Sequence, residues 1–301
     1  MIAMKTILCP VDFSPATDRQ VDVAVDLCRA FGARLVLHHN RHGFGTAASV
    51  GWMWNADHHD DTQAGAEAKL QKCLARVPAS VPAEGVVTQG PNAMSVLAVS
   101  DSVNADLIIL TSHGTHSEQH ASITEKALEH GQHAVLVLHE ATVESRTPHF
   151  ASATAERQVV IVPTDFSADS DAAMAVAFEL AKALPIELHL LHVLPKTSRR
   201  ASEDETRGRM RAPVPAEIAE QTHAHVDYGN PAEAIARLAG QLSAACIVMG
   251  EHTRGPVRRW FGRAISRSVM HQARCPVWYV PGAVVKNRTA MAPVVSMPRT
   301  R

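Results

Sequence analysis

The stretch ILCPVDFS at residues 7–14 returns as VIVPTDFS at residues 160–167. Each copy is an apolar run that ends in Asp-Phe-Ser and is followed by a helical pattern and a second apolar run, RLVLH at 34–38 or ELHLLH at 187–192. A glycine turn, GPNA at 90–93 or GNPA at 229–232, then precedes another helix and another apolar run. This self-similarity indicates that the chain contains two copies of one domain.

The apolar runs of both copies are continuous rather than alternating, which is typical of parallel strands buried on both faces by crossover helices. Each half is therefore predicted to be an α/β domain with a five-stranded parallel sheet and helices on both faces. Predicted helix N-caps are Ser14, Ser167 and Asn230, and Gly32 suits a C-cap. The predicted divisions are a first domain at 1–140, a linker at 141–157, a second domain at 158–283 and a flexible tail at 284–301.

The length of the chain fits two domains, and its composition argues against nucleic acid or a membrane as a partner. A chain of 301 residues suits two domains of about 150 residues each. The formal net charge of -1 offers no attraction to nucleic acid or to an anionic membrane. Residues 1–5 run into a strand-like segment without the pattern of a signal peptide, and no run reaches roughly 18 apolar residues, so a cytoplasmic protein with no membrane partner is expected. Five cysteines without CxxC spacing are expected to be reduced.

Ligands of open parallel sheets bind at the carboxyl ends of the strands, where helix N-termini present N–H groups to anions. Asp12 and Asp165 close the first strand of each half, where a carboxylate could bind a ribose or order the loop. The loops after the fourth strands, TSHG at 111–114 and GEHT at 250–253, end at the same edge. These two groups are the candidate ligand-binding residues of each half.

The Pro-x-Asp-Phe-Ser strand ends, the glycine turns, and the segment from Met249 through Gly262 to Val277 resemble the universal stress protein family. The resemblance covers about 5–139 and 158–281. It implies the strand order 3-2-1-4-5, pairing through the last strand, and a regulatory role in the stress response rather than catalysis. Members that bind ATP carry Gly, two residues, Gly, nine residues, then Gly-Ser or Gly-Thr, because glycines let the backbone approach the phosphates.

Both halves depart from that ATP motif. The second half keeps Gly250, but Thr253 replaces the second glycine, eight residues separate it from Gly262, and Arg263 replaces the hydroxyl residue. In the first half Thr111 replaces the first glycine. The resemblance therefore implies an ATP site, with Mg²⁺ as a companion ion, in the second half only. The implied cofactor-binding residues are Pro163, Asp165, Val193, Met249, Gly250, Thr253, Gly262, Arg263 and Ala264, with Arg254, Arg258 and Arg259 as further sources of positive charge.

Other functions remain open at this level. Both sites could have lost nucleotide, leaving a scaffold that binds a protein partner, and a slow ATPase is not excluded although no catalytic residues are evident. The final strands, 134–138 and 276–280, are apolar, and each would form a sheet edge, so they are predicted to join the halves as an intramolecular pseudo-dimer, which could form a further homodimer. Eighteen histidines show no established metal-binding spacing, so no metal site is predicted.

Overall fold

The computed structural model describes residues 4–41, 62–112, 118–130, 133–139, 157–198, 202–251, 263–282 and 297–298. The elements of the first half are β1 (Thr6–Pro10), α1 (Ala16–Phe31), β2 (Arg34–Arg41), α2 (Gln63–Arg76), β3 (Ala83–Gln89), α3 (Asn92–Ser102), β4 (Leu107–Ser112), α4 (Glu118–His130) and β5 (Ala134–His139). Those of the second half are β6 (Gln158–Pro163), α5 (Ala168–Ala183), β7 (Ile186–Leu194), α6 (Ser202–Arg211), a short 3-10 helix (Ala216–Ile218), β8 (Thr222–Tyr228), α7 (Pro231–Gln241), β9 (Cys246–Glu251), α8 (Arg263–Gln272) and β10 (Val277–Pro281).

The strands of both halves form one continuous sheet in the order β11-β3-β2-β1-β4-β5-β10-β9-β6-β7-β8, where β11 is Met297–Pro298. Within each half the five strands are parallel and follow the predicted order 3-2-1-4-5. The predicted α/β fold is thus confirmed. The two sheets are continuous with one another, and β11 adds to the free edge of β3 in antiparallel orientation.

The halves meet where β5 and β10 pair in antiparallel orientation, with Leu136 opposite Trp278 and Val135 opposite Tyr279. The predicted contact between the two final strands is therefore observed. Trp278 and Tyr279 are almost fully buried and belong to the cores on opposite faces of the sheet. The Tyr279 hydroxyl donates to the Ser266 carbonyl oxygen at 3.0 Å, which satisfies its buried polar group.

Each face of the sheet is covered by helices from both halves. Helices α1, α2 and α5 contribute to the core on one face, and α3, α7 and α8 contribute to the core on the other. The continuous apolar runs of the sequence supply both cores at once because side chains alternate between the faces along each strand.

All five cysteines are free, and burial raises the pKa of Cys28 and Cys275 to about 12.

The helix starts follow the sequence prediction with one exception. Ser167 Oγ accepts from the Ser170 N–H at 3.2 Å, and Asn230 Oδ1 accepts from the Ala232 N–H at 3.0 Å, so both predicted caps are confirmed. The predicted cap at Ser14 is wrong, since Ser14 Oγ makes no hydrogen bond. Pro15 takes the N-cap position of α1, and its side chain has no atom that can accept a hydrogen bond, so the first turn of α1 has no side-chain cap.

Gly32 adopts a left-handed conformation with φ 64°, and its N–H donates to the Cys28 carbonyl oxygen, as expected of a helix C-cap.

Within the described residues, no helix has the length and hydropathy needed to cross a bilayer. Of the predicted linker, only its last residue, 157, is described, and of the predicted tail only 297–298.

Candidate ligand site at the carboxyl edge of the sheet

The loop after the first strand has the same unusual backbone in both halves. Phe13 and Phe166 each have φ of 60°, a left-handed value that bulky residues rarely adopt. Asp12 Oδ1 accepts from the Ser14 N–H at 2.9 Å, and Asp165 Oδ1 accepts from the Ser167 N–H at 3.0 Å. Of the two roles that the sequence allows for these carboxylates, ordering the first loop is therefore observed in both halves.

A histidine on the neighbouring strand holds the loop of the second half. His192 Nδ1 lies 2.7 Å from the Thr164 carbonyl oxygen, and its ring lies 4.6 Å from the Phe166 ring between centroids. A carbonyl oxygen only accepts, so Nδ1 carries the proton. Burial lowers the pKa of His192, although the bond to Thr164 acts in the opposite direction. The imidazole therefore supports the strained turn as a neutral ring.

The first half repeats this arrangement. His39 Nδ1 lies 2.8 Å from the Val11 carbonyl oxygen, and its ring is 4.2 Å from that of Phe13. Sequence reasoning missed the pairing of histidine with phenylalanine. The sequence repeat could have indicated it, because His39 and His192 occupy corresponding positions. Each follows the residue that pairs with the proline at the end of the first strand.

Positive charge lies beside this turn in the second half. The guanidinium carbon of Arg209, on α6, stands 3.9 Å above the centre of the Phe166 ring, within cation–π range. No role for Arg209 was predicted, because its distance from Phe166 in the sequence gives no indication that the two meet. The Phe166 ring of the second half is thus contacted by the tilted ring of His192 and by the guanidinium group of Arg209.

The strand order reverses between β6 and β9, which pair as direct neighbours through Val160–Cys246 and Ile161–Ile247. Asp165 follows β6, and Gly250 lies near the end of β9, so both stand at the carboxyl edge where the strand order reverses. This is the general location of ligand sites in open α/β sheets. The corresponding residues of the first half, beside the β1–β4 pair, are Asp12 and Thr111.

Gly250 also has a packing reason to be glycine. A Cβ atom there would lie 2.5 Å from the backbone carbon and oxygen of Asp169 and 2.9 Å from the Ser170 nitrogen. The first turn of α5 therefore lies directly against the end of β9. Such contact brings a helix N-terminus, with its partial positive charge, to the switch point of the second half.

A buried carboxylate follows directly in the sequence. Glu251, the last residue of β9, is only 4% exposed. Burial raises the pKa of Tyr279, and the nearby Glu251 acts in the same direction, as a negative charge close to a phenol should. In its ionised form, the Glu251 carboxylate opposes the approach of a phosphate.

The structure brings together most of the predicted cofactor-binding residues that it describes. Pro163, Met249 and Val193 are buried at the carboxyl half of β6, β9 and β7, with Met249 and Val193 in one core. Thr253 and Gly262 lie outside the described residues, as do Arg254, Arg258 and Arg259. Arg263 and Ala264 begin α8, but their side chains are not described.

Comparisons with known proteins agree with this architecture. The family model described as "Universal stress protein family" matches residues 4–139 and 156–281. A universal stress protein from Archaeoglobus fulgidus DSM 4304 has a similar structure, with a TM-score of 0.67, 20% identity, and coverage of 93% of this chain and 97% of that one. No curated protein matches the chain.

Two structures from Pseudomonas aeruginosa are also similar. A functionally unknown protein from strain PAO1 has a TM-score of 0.62 at 14% identity, with 93% of each chain covered. A putative universal stress protein from strain UCBPP-PA14 has a TM-score of 0.60 at 14% identity, covering 92% of this chain and 93% of that one. At these identities the likeness concerns the fold.

Proposed function

Because the chain belongs to the universal stress protein family, we propose that it is a regulatory protein of the stress response in the cytoplasm that binds an adenine nucleotide in its second half only. The nucleotide is ATP accompanied by Mg²⁺, and its occupancy changes what the protein binds rather than driving a catalytic cycle. Asp165 and the end of β9 contact the ligand, and the arginines between Glu251 and Ala264 in the sequence supply positive charge.

One observation carries the location of the site. At the switch point of the second half, Gly250 lets the first turn of α5 lie against the strand end, with 2.5 Å between a hypothetical Cβ and the Asp169 backbone. Thr111 occupies the corresponding position of the first half, so β4 carries a side chain where β9 has none. A helix N-terminus beside a strand end that carries no side chain is the arrangement in which phosphates bind.

The proposal includes a modest affinity. Loss of the second glycine and of the hydroxyl residue of the family motif costs on the order of 1 to 3 kcal/mol each, or about one to two powers of ten in the dissociation constant. Arg209 at the Phe166 turn offsets part of this loss by attracting the phosphates.

A second function is favoured by Glu251. Its buried carboxylate, next to Gly250, disfavours a polyphosphate at the same strand end. If that repulsion dominates, the chain is a nucleotide-free scaffold whose surface binds a protein partner.

Calorimetry with Mg-ATP on the full chain separates the two functions, and the halves supply a matched pair of variants. Asp165→Ala and Asp12→Ala each remove a carboxylate that accepts the corresponding loop N–H, from Ser167 at 3.0 Å or from Ser14 at 2.9 Å. Asp12→Ala also removes the acceptor of the Thr17 hydroxyl at 3.1 Å. We expect ATP binding to weaken at least about tenfold in Asp165→Ala and to stay unchanged in Asp12→Ala.

Equal weakening in the two variants would contradict a site confined to the second half. Absence of binding at millimolar ATP, together with no adenine nucleotide in native mass spectra of freshly purified protein, would support the scaffold.

A further inference from the structure

Glu187, His189 and His223 lie together near the amino ends of β7 and β8, at the edge of the sheet opposite Gly250. His189 pairs with His223 across the strands, and Glu187 precedes His189 by two residues, so all three side chains lie on one face of the sheet. Their donor atoms lie within 4.8 Å of one another. In the part of the chain that the structure describes, no other such group of acidic, histidine or cysteine residues was found.

The distances suit a small cation. Glu187 Oε1 lies 2.5 Å from His223 Nε2 and 3.6 Å from His189 Nε2. In a tetrahedral zinc site with bonds of about 2.0 to 2.1 Å, neighbouring donor atoms lie about 3.3 Å apart, which falls between these two values. The side chains of Glu187 and His223 are 33% and 45% exposed, so they can adjust by rotation and an ion can reach them from solvent.

His189 points a buried nitrogen that makes no hydrogen bond into this group, toward Glu187. The residue is only 7% exposed, and its Nε2 atom makes no hydrogen bond. Its other nitrogen, Nδ1, lies 2.8 Å from His225 Nε2. When the Nδ1–H donates to His225, the lone pair of His189 Nε2 faces the oxygen of Glu187, which is unfavourable unless a cation lies between them.

The first half provides an internal comparison. By register, Arg34 corresponds to Glu187, Val36 to His189, and Glu84 to His223. Arg34 Nη1 and Glu84 Oε1 form an ion pair at 2.6 Å. An arginine supplies no lone pair, so the first half has no comparable ligand set. The acid and imidazoles are thus specific to the second half and are not required by the fold.

We propose that Glu187, His189 and His223 bind a divalent transition-metal ion, with zinc as the best match to two imidazole nitrogens and one carboxylate oxygen. His225 is a positioning residue, which fixes the tautomer and ring orientation of His189, and solvent completes the coordination. The site is separate from the proposed nucleotide site. It departs from the sequence-based prediction of no metal site, which looked for spacing along the chain, whereas these ligands come from two strands.

Zinc titration of the full, chelator-stripped chain against a chromophoric competitor tests the site. We expect His223→Ala and Glu187→Gln each to lower the affinity for one zinc ion by more than about 100-fold, because each variant removes a ligand. His225→Ala should lower this affinity by about 10- to 100-fold. A double variant, Glu187→Arg with His223→Glu, installs the ion pair of the first half and should fold while losing the ion. Glu84→Gln, the matched control in the first half, should bind zinc as the unmodified protein does.

Cobalt(II) absorption provides a second readout that a purely structural role would not change. The unmodified protein should show visible bands without thiolate charge transfer, and His225→Ala should alter their shape. The proposal is overturned if the unmodified chain binds no zinc, if both His223→Ala and Glu187→Gln bind zinc normally, or if the cobalt spectrum shows cysteine ligands. ATP binding is measured separately, so either proposal can fail without the other.

Discussion

The two halves share one backbone plan, but they differ in how the helix after the first strand meets the sheet. In the first half, Gln20 of α1 lies between helix and strands and donates to the carbonyl oxygens of Pro10 and Ile109 at 2.8 and 2.7 Å. The second half has Ala173 at the corresponding position and Gly250 on the strand, and α5 lies directly against β9. The same fold thus accommodates two kinds of packing between this helix and the sheet, one through a polar side chain and one through small residues in direct contact.

This difference shows which structural features the two halves must share and which can differ between them. Both halves keep the left-handed Phe turn, the supporting histidine and the Asp that orders the loop, since the chain must leave the first strand in the same way. The helix contact and the pair of strands at the outer edge have diverged, and those are the places where the second half acquires its candidate sites.

Exchanging the helix contact should have the largest effect. Gly250→Thr installs the first-half residue, and its Cβ atom would lie 2.5 Å from the backbone of Asp169, which cannot move without shifting α5. We expect a loss of about 3 kcal/mol in the free energy of unfolding, measured by urea denaturation. The reverse change, Thr111→Gly, should cost only about 1 kcal/mol, and equal losses would show that the two helices meet the sheet alike.

A pH-dependent difference between the halves should come next. Burial lowers the pKa of His38 to about 3, whereas Leu191 occupies the corresponding position of the second half. Below pH 6.5 the unfolded chain binds a proton at His38 that the folded chain does not bind. As the pH is lowered from 6.5 to about 3, the free energy of unfolding therefore decreases by up to about 1.4 kcal/mol per pH unit.

His38→Leu should remove this slope, so that relative to pH 7.5 the variant loses roughly 2.7 kcal/mol less than the unmodified protein at pH 4.5. Urea midpoints across this range provide the measurement. At neutral pH the variant lacks the His38–Thr88 hydrogen bond, which spans 2.8 Å, so its advantage should be confined to acid conditions. An unchanged slope would mean that His38 is protonated in the folded state.

The smallest expected effect compares the two helix starts. Ser167→Ala removes a cap that accepts the Ser170 N–H and should lower the stability by about 1 kcal/mol. Ser14→Ala should have no measurable effect, because Ser14 Oγ makes no hydrogen bond. Thermal unfolding of the two variants side by side tests this, and equal losses would restore the capping role that the sequence suggests for Ser14.

Much of the carboxyl-edge site could be anticipated from the sequence, because the repeat places Asp165 and Gly250 at strand ends. The contacts of Arg209 with Phe166 and of Gly250 with Asp169 could not. They join residues on different elements, and their geometry depends on how closely each helix approaches the sheet. The Ser14 prediction failed for a local reason, since Pro15 is compatible with either the N-cap or the first helical position.

The sequence by itself determined the two-domain repeat, the parallel strands of each half and the caps at Ser167 and Asn230, whereas the strand order came from the resemblance to the family. These features depend on periodicity and on short-range chemistry, which can be read along the chain. Only the tertiary structure decided that His223 faces His189. Register between strands is set by the packing of the whole core, because a shift of one residue would turn every side chain of β8 to the other face.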